Sequence, residues 1–217
     1  MSFFQKYKWY ILGGLGLVGL GVLTAMATSV SRLKNRKPKK ILFVGDSIST
    51  GSSTYPAKIQ KQRSDLDIDV LSKGGMRTSW MLDNLKDKLA SNKYDRVYIY
   101  GGVNDMFSSV KIDDALSNIQ QMVNMINENG ADAFVIQGYV IDGFMDLSKF
   151  SPSKYVPEVS GFIPLIERYR EYQSRIPKTI KNAHFVKPIN LGDRTGDGIH
   201  PSGTGQQIIA DEILKTI

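Results

Sequence analysis

Five short apolar runs, separated by stretches whose apolar residues recur at helical spacing, restrict this chain to one broad class of fold. Ile41-Leu42-Phe43-Val44, closed by Gly45, reads as a buried strand. Residues 55–63 suit a short helix, and 66–71 alternate as a second strand. Trp80, Met81, Leu85 and Leu89 place a helix over 78–89. Val97-Tyr98-Ile99-Tyr100 is a third strand, ending at Gly101-Gly102. Ile112, Ala115, Leu116, Ile119, Met122, Val123 and Ile126 trace one face of a long helix, with Gly130 as its stop. Phe134-Val135-Ile136 forms a fourth strand, and Phe185 and Val186 lie in a fifth. Between them 163–176 is helical, and 206–217 closes the chain as an amphipathic helix through Ile208, Ile209, Ile213, Leu214 and Ile217. Strands joined through helices need right-handed crossovers. The expectation is therefore an α/β domain over 40–217, a three-layer α/β/α sandwich around a mostly parallel sheet of about five strands.

In open sheets of this kind ligands bind at the carboxyl edge. The first strand delivers Gly45-Asp46-Ser47 there. A Gly-Asp-Ser tripeptide also occurs in ordinary turns, so the far end of the chain matters: Asp197-Gly198-Ile199-His200 places an Asp and a His three apart. A serine, a histidine and an aspartate are the parts needed to deprotonate a hydroxyl, hold the resulting imidazolium and set its tautomer. Two further strand ends, Ser72-Lys73-Gly74-Gly75 and Gly101-Gly102-Val103-Asn104-Asp105, bring a glycine backbone donor and an Asn amide to the same edge. Such donors stabilise the oxyanion of a tetrahedral intermediate by roughly 3 kcal/mol each.

With these four blocks in this order, over most of residues 40–217, the sequence resembles the SGNH, or GDSL, hydrolase family. The resemblance implies that Ser47 is the nucleophile, His200 its general base and Asp197 the group that orients the imidazole. It implies an oxyanion hole made by the backbone amides of Ser47 and Gly74 and the side chain of Asn104. The family's second block usually begins with Asn where this chain has Ser72, and Gly75 competes with Gly74 for the donor position. Asp46 and Asp105 read as structural acids that satisfy loop amides. His184 falls within a strand pattern and reads as a packed histidine rather than a second base.

Other chemistries find little support. There is no Gly-x-Ser-x-Gly elbow, and the three Ser-x-x-Lys matches, at Ser31, Ser108 and Ser151, lack the companion motifs. No phosphate-binding glycine loop or dinucleotide fingerprint occurs, so no cofactor is expected. The absence of Cys and the presence of only His184 and His200 argue against a metal centre. Residues 139–162 make an unusually long connection carrying Phe144, Met145, Phe150, Tyr155 and Phe162. A wall or lid over the pocket and an ordinary packed excursion are both open for it.

The chain carries a formal charge of +7, but eight basic residues and no acid lie in residues 1–40, leaving 41–217 at −1. The basicity belongs to a tail, which weakens a nucleic-acid reading. From Trp9 to Ser31 no residue is charged, and 23 residues in helical form span roughly 34 Å, enough to cross a bilayer core of about 30 Å. Phe3, Phe4, Tyr7, Trp9 and Tyr10 resemble an interfacial belt. Residues 1–31 are therefore expected to be a retained single-pass anchor and 32–39 a basic linker. The alternative is a cleaved signal peptide ending near Ala25-Met26-Ala27. Gly21 and Ala25 form one small-xxx-small pair through which the anchor could self-associate. The basic cluster from Arg32 to Lys40 favours a cytoplasmic domain under the positive-inside rule, yet would also grip anionic head groups on any face, so the side of the membrane stays open.

The expected activity is that of a membrane-anchored serine esterase working through an acyl-enzyme on Ser47. The resemblance implies a broad range of substrates, from O-acetylated carbohydrates and cell-wall glycans to lipids and thioesters. An anchor beside the domain favours carbohydrate or envelope O-acyl groups, with a lipid ester as the alternative. The rival from another class is a non-catalytic, membrane-tethered component of an envelope or virion.

Overall fold

The computed structural model describes residues 37–140, 159–192, 194–195 and 199–217, with backbone only for 159–163. The anchor expected over 1–31, the first part of the linker, most of the 139–162 connection and Asp197 lie outside the described residues. Among the described residues no helix is long and apolar enough to cross a membrane.

The chain runs β1 (Lys40–Gly45), a 3-10 turn (Ser47–Ser49), α1 (Tyr55–Gln62), β2 (Asp67–Ser72), α2 (Thr78–Ser91), β3 (Arg96–Tyr100), α3 (Val103–Met106) and α4 (Ile112–Glu128). It continues through β4 (Asp132–Ile136), β5 (Tyr139–Val140), α5 (Val159–Thr179), β6 (His184–Val186), β7 (Ile189–Asn190) and α6 (Gly203–Leu214). Five strands form one sheet in the order β2-β1-β3-β4-β6, and every pairing is parallel. This is the expected α/β architecture. β5 and β7 add a separate parallel pair that the sequence does not announce, since two-residue strands show no periodicity.

The strand order places the site. From β1 the chain steps sideways to β2, then crosses back over β1 to β3 and continues outward to β4 and β6. With right-handed crossovers, that reversal puts α1 on one face and α2, α4 and α5 on the other. Accordingly α1 packs against α6, and α2 against α4. The connections leaving β1 and β3 diverge to opposite faces, and a crevice opens at the carboxyl ends of these two strands.

The core explains why these runs are strands. Ile41, Leu42, Phe43 and Val44 are all 0% exposed, so both faces of β1 are covered and no polar alternation appears. Burying each such side chain contributes about 1.5–3 kcal/mol. On one face the register partners Phe43, Tyr98, Phe134 and His184 form a row of rings with successive centroids 5.2, 4.7 and 4.7 Å apart. His184 is packed on this row, as expected, although its strand is the last in the sheet. It is exposed at the sheet edge with its ring laid on Phe134.

Helix ends follow local chemistry. Gly130 ends the turn after α4 at φ +88°, as its position predicts. Ser202 caps α6 by accepting from Gly205 N, and this starts the helix at Gly203, ahead of the predicted Gln206. α5 likewise begins at Val159 and runs through Pro164 rather than starting beside it.

Candidate active site

The predicted nucleophile lies where β1 gives way to the 3-10 turn. Asp46 caps that turn, its Oδ1 accepting from Ile48 N at 3.0 Å. The turn folds back tightly over the end of the strand. A Cβ on Gly45 would collide with the Ser49 side chain and sit 3.1 Å from the Tyr100 carbonyl, so the position requires glycine for close approach rather than for an unusual φ. Ser49 Oγ is in turn 2.9 Å from Tyr55 Oη, which ties the turn to the start of α1.

His200 comes from the segment before α6. Its Nε2 is 3.0 Å from Ser47 Oγ, although 153 positions separate the two in sequence. Three contacts hold this segment in place: Tyr139 Oη donates to Ile199 O, Ser202 N donates to Arg194 O, and Thr195 bridges Pro201. Asp197 belongs to the same segment but falls outside the described residues.

Both loops expected to carry oxyanion donors reach the serine turn. The position a Cβ would take on Gly74 lies 3.8 Å from Ser47 Cβ, whereas on Gly75 it would meet nothing within 4 Å. The Cα–Cβ direction of Gly74 thus faces the serine, and that of Gly75 faces open space. Ser72, the departure from the family pattern, accepts from Thr50 Oγ1 at 3.0 Å and so braces the same turn. Asn104 sits in α3, a single helical turn that begins directly after Gly102. Gly102 has φ +105°, and a Cβ there would strike the Tyr172 ring, so both backbone and packing demand glycine. Asn104 Nδ2 donates to Met76 O at 3.0 Å and to Asp46 Oδ2 at 3.2 Å.

Asp105 does what a structural acid should. It is 1% exposed, and its carboxylate accepts from Thr78 N at 3.0 Å and Thr78 Oγ1 at 2.7 Å, capping α2 from another element. Asp46 also accepts from a loop amide, but its environment is different. It is fully buried, and desolvation pushes its carboxyl up to about 7. The Ile48 amide and the nearby His200 oppose that rise, and Asp105 adds to it.

Some supports carry no motif. Gln206 of α6 accepts from Tyr55 N at 2.9 Å and donates to Ile48 O at 3.0 Å, locking the serine turn to the helix that follows His200. Arg168 of α5 donates to the carbonyls of Met106, Ser108 and Val110 and anchors the loop after Asn104. A lone polar residue on an amphipathic helix signals nothing in sequence.

The arrangement can deprotonate a hydroxyl at Ser47 and offer backbone and amide donors beside it. Comparison with known proteins points the same way. The sequence pattern of the GDSL-like Lipase/Acylhydrolase family matches residues 43–208. The isoamyl acetate-hydrolyzing esterase of Saccharomyces cerevisiae is 26% identical over 209 residues, covering 82% of this chain and 86% of that protein. The N-acylneuraminate cytidylyltransferase of Streptococcus agalactiae serotype V is 32% identical over 177 residues, covering 78% of this chain but 36% of that protein, so the chain spans about a third of its length. Among solved structures, an acetylxylan esterase from Geobacillus stearothermophilus shares the fold with a TM-score of 0.62 at 17% identity, covering 84% of this chain and 95% of that one.

Proposed function

The chain belongs to the GDSL-like lipase/acylhydrolase family and is a carboxylic ester hydrolase, and from that premise we propose that Ser47 forms an acyl-enzyme with His200 as its general base. The observation that carries this reading is the 3.0 Å contact between Ser47 Oγ and His200 Nε2. Accepting from a hydroxyl requires an unprotonated Nε2, and the proton then sits on Nδ1, where Asp197 is assigned to orient the ring. Ser47 Oγ attacks the ester carbonyl carbon and its proton passes to Nε2. The carbonyl oxygen becomes an oxyanion facing the amides of Ser47 and Gly74 and the Asn104 side chain. When the C–O bond breaks, the imidazolium gives its proton to the departing alcohol. Water, deprotonated by the same His200, then attacks the acyl carbon and frees Ser47.

For the substrate we infer a short acyl group, acetyl above all, on a carbohydrate or another envelope component. Two relatives support this by their names alone: one acts on isoamyl acetate and one on acetylated xylan. Residues 1–31 are assigned as a membrane anchor because the 23 residues from Trp9 to Ser31 carry no charge and are long enough as a helix to cross a bilayer. The experiment is hydrolysis of a nitrophenyl acetate series by wild type and Ser47→Ala. Loss on the order of a thousandfold or more in the variant is expected, with rates falling as the acyl chain lengthens. Equal rates in the two proteins would overturn the assignment of Ser47. Carbonate washing of membranes tests the anchor: full-length protein should remain in the pellet.

A further inference from the structure

Asn104 has two amide hydrogens, and both are engaged. One points to Met76 O at 3.0 Å and the other to Asp46 Oδ2 at 3.2 Å. A tetrahedral oxyanion needs one of them, so one acceptor must give way. Met76 is partly exposed, on the loop after β2, beyond Gly74 and Gly75. Asp46 is 0% exposed and pinned through Ile48 N. We propose that Asp46 is a positioning residue: its ionised carboxylate, an acceptor only, holds the Asn104 amide with nitrogen rather than oxygen toward the reacting carbonyl, and protonation of Asp46 releases that hold. The inference rests on the serine-hydrolase reading above and adds to it a second ionisation that the enzyme must make before it is competent.

The chemistry of the lock is one-sided. A carboxylate can face only the Nδ2 side of an amide, because facing Oδ1 would set two acceptors against each other. A protonated carboxyl can donate to Oδ1, and the amide is then free to turn its oxygen toward the oxyanion, where it repels. Burial already pushes the Asp46 carboxyl up to about 7, so this change falls in the range where the enzyme would work. The titratable groups that interact electrostatically with Asp46 come from several elements among the described residues. They are His200 from the segment before α6, Asp105 from α3, Tyr55 from α1, Tyr100 from β3, and Tyr169 and Tyr172 from α5. Burial raises all four tyrosine hydroxyls above their ordinary range, so they stay neutral while Asp46 titrates. His200 must also be unprotonated to act as base. The acid side of the activity profile should therefore need both an ionised Asp46 and a His200 Nε2 free to accept.

The test is the pH profile of kcat/KM for a short nitrophenyl ester, measured for wild type, Asp46→Asn, Asn104→Ala, the double variant and Ser47→Ala. The wild-type acid limb should approach a slope of two. Asp46→Asn should lower kcat about tenfold at high pH with KM within about twofold, and reduce the slope to one. Asn104→Ala should reduce the slope to one with Asp46 intact, because no amide remains to be held. This variant keeps the test decisive where Asp46→Asn folds poorly. In the double variant the Asp46 substitution should cost nothing further. A slope of two retained in Asn104→Ala would mean that Asp46 acts on His200 by charge alone, and would overturn the lock. So would multiplying losses in the double variant. Undiminished rates in Ser47→Ala would instead sink the serine-hydrolase reading, an outcome distinct from either.

Discussion

Both ends of the Gln206 amide reach across to the first third of the chain, one accepting from Tyr55 N and the other donating to Ile48 O. Gln206→Ala leaves a buried donor and a buried acceptor unpaired, at about 1–3 kcal/mol each. The expected outcome is a urea midpoint lowered by roughly 2 kcal/mol or more of stability, with a fall in kcat because the serine turn loses its tie to α6. Asp46 has the opposite effect on stability. Its folded carboxyl titrates at about 7, above the ordinary 3.8. Between those values the folded state binds the proton and the unfolded state does not, so stability falls as pH rises from about 4 to about 7 and then levels off. Asp46→Asn removes this penalty. Urea unfolding at pH 5 and pH 8 should show the variant gaining on wild type at the higher pH, by an amount on the order of a few kcal/mol.

At the scale of elements, α3 is too short to hold itself and depends on its neighbours. Gly102 starts it in a left-handed conformation against Tyr172, Asp105 fastens it to α2, and Arg168 of α5 collects the carbonyls beyond it. Gly102→Ala forces a Cβ into the Tyr172 ring at a φ that costs a non-glycine residue about 1–3 kcal/mol. Thermal melting should show that loss, and esterase assays a kcat reduced more than KM is changed, since Asn104 moves with the turn. Arg168→Ala should leave most of the stability intact yet lower kcat, because the loop after Asn104 loses its donor while the core does not. Neither support was legible in sequence. A four-residue helix has no period to detect, and Arg168 lies on a face that periodicity assigns to solvent.

For the whole molecule, residues 38–217 form a compact unit by themselves, with Lys39 and Lys40 fastened to Asp95 at its start. A chain beginning at Lys37 should therefore melt cooperatively and hydrolyse a soluble short-chain ester at the rate of the full-length protein held in membrane vesicles. The strands and long helices were readable because burial on both sides of a parallel sheet leaves unbroken runs such as Ile41–Val44, and an amphipathic face repeats every turn, as in Ile112–Ile126. The family blocks were readable because tight turns and oxyanion donors demand particular residue types at fixed offsets. Sequence alone thus determined the class of fold, the edge of the sheet where chemistry occurs and the residues to look for there. Tertiary structure decided that Ser47 and His200 meet at 3.0 Å, that an added Cβ on Gly74 would lie 3.8 Å from Ser47 Cβ, and that Asp46 shares its carboxylate with Asn104. These depend on how far apart strand ends come to rest once strand order and helix packing are set, and no local pattern of residues encodes such distances.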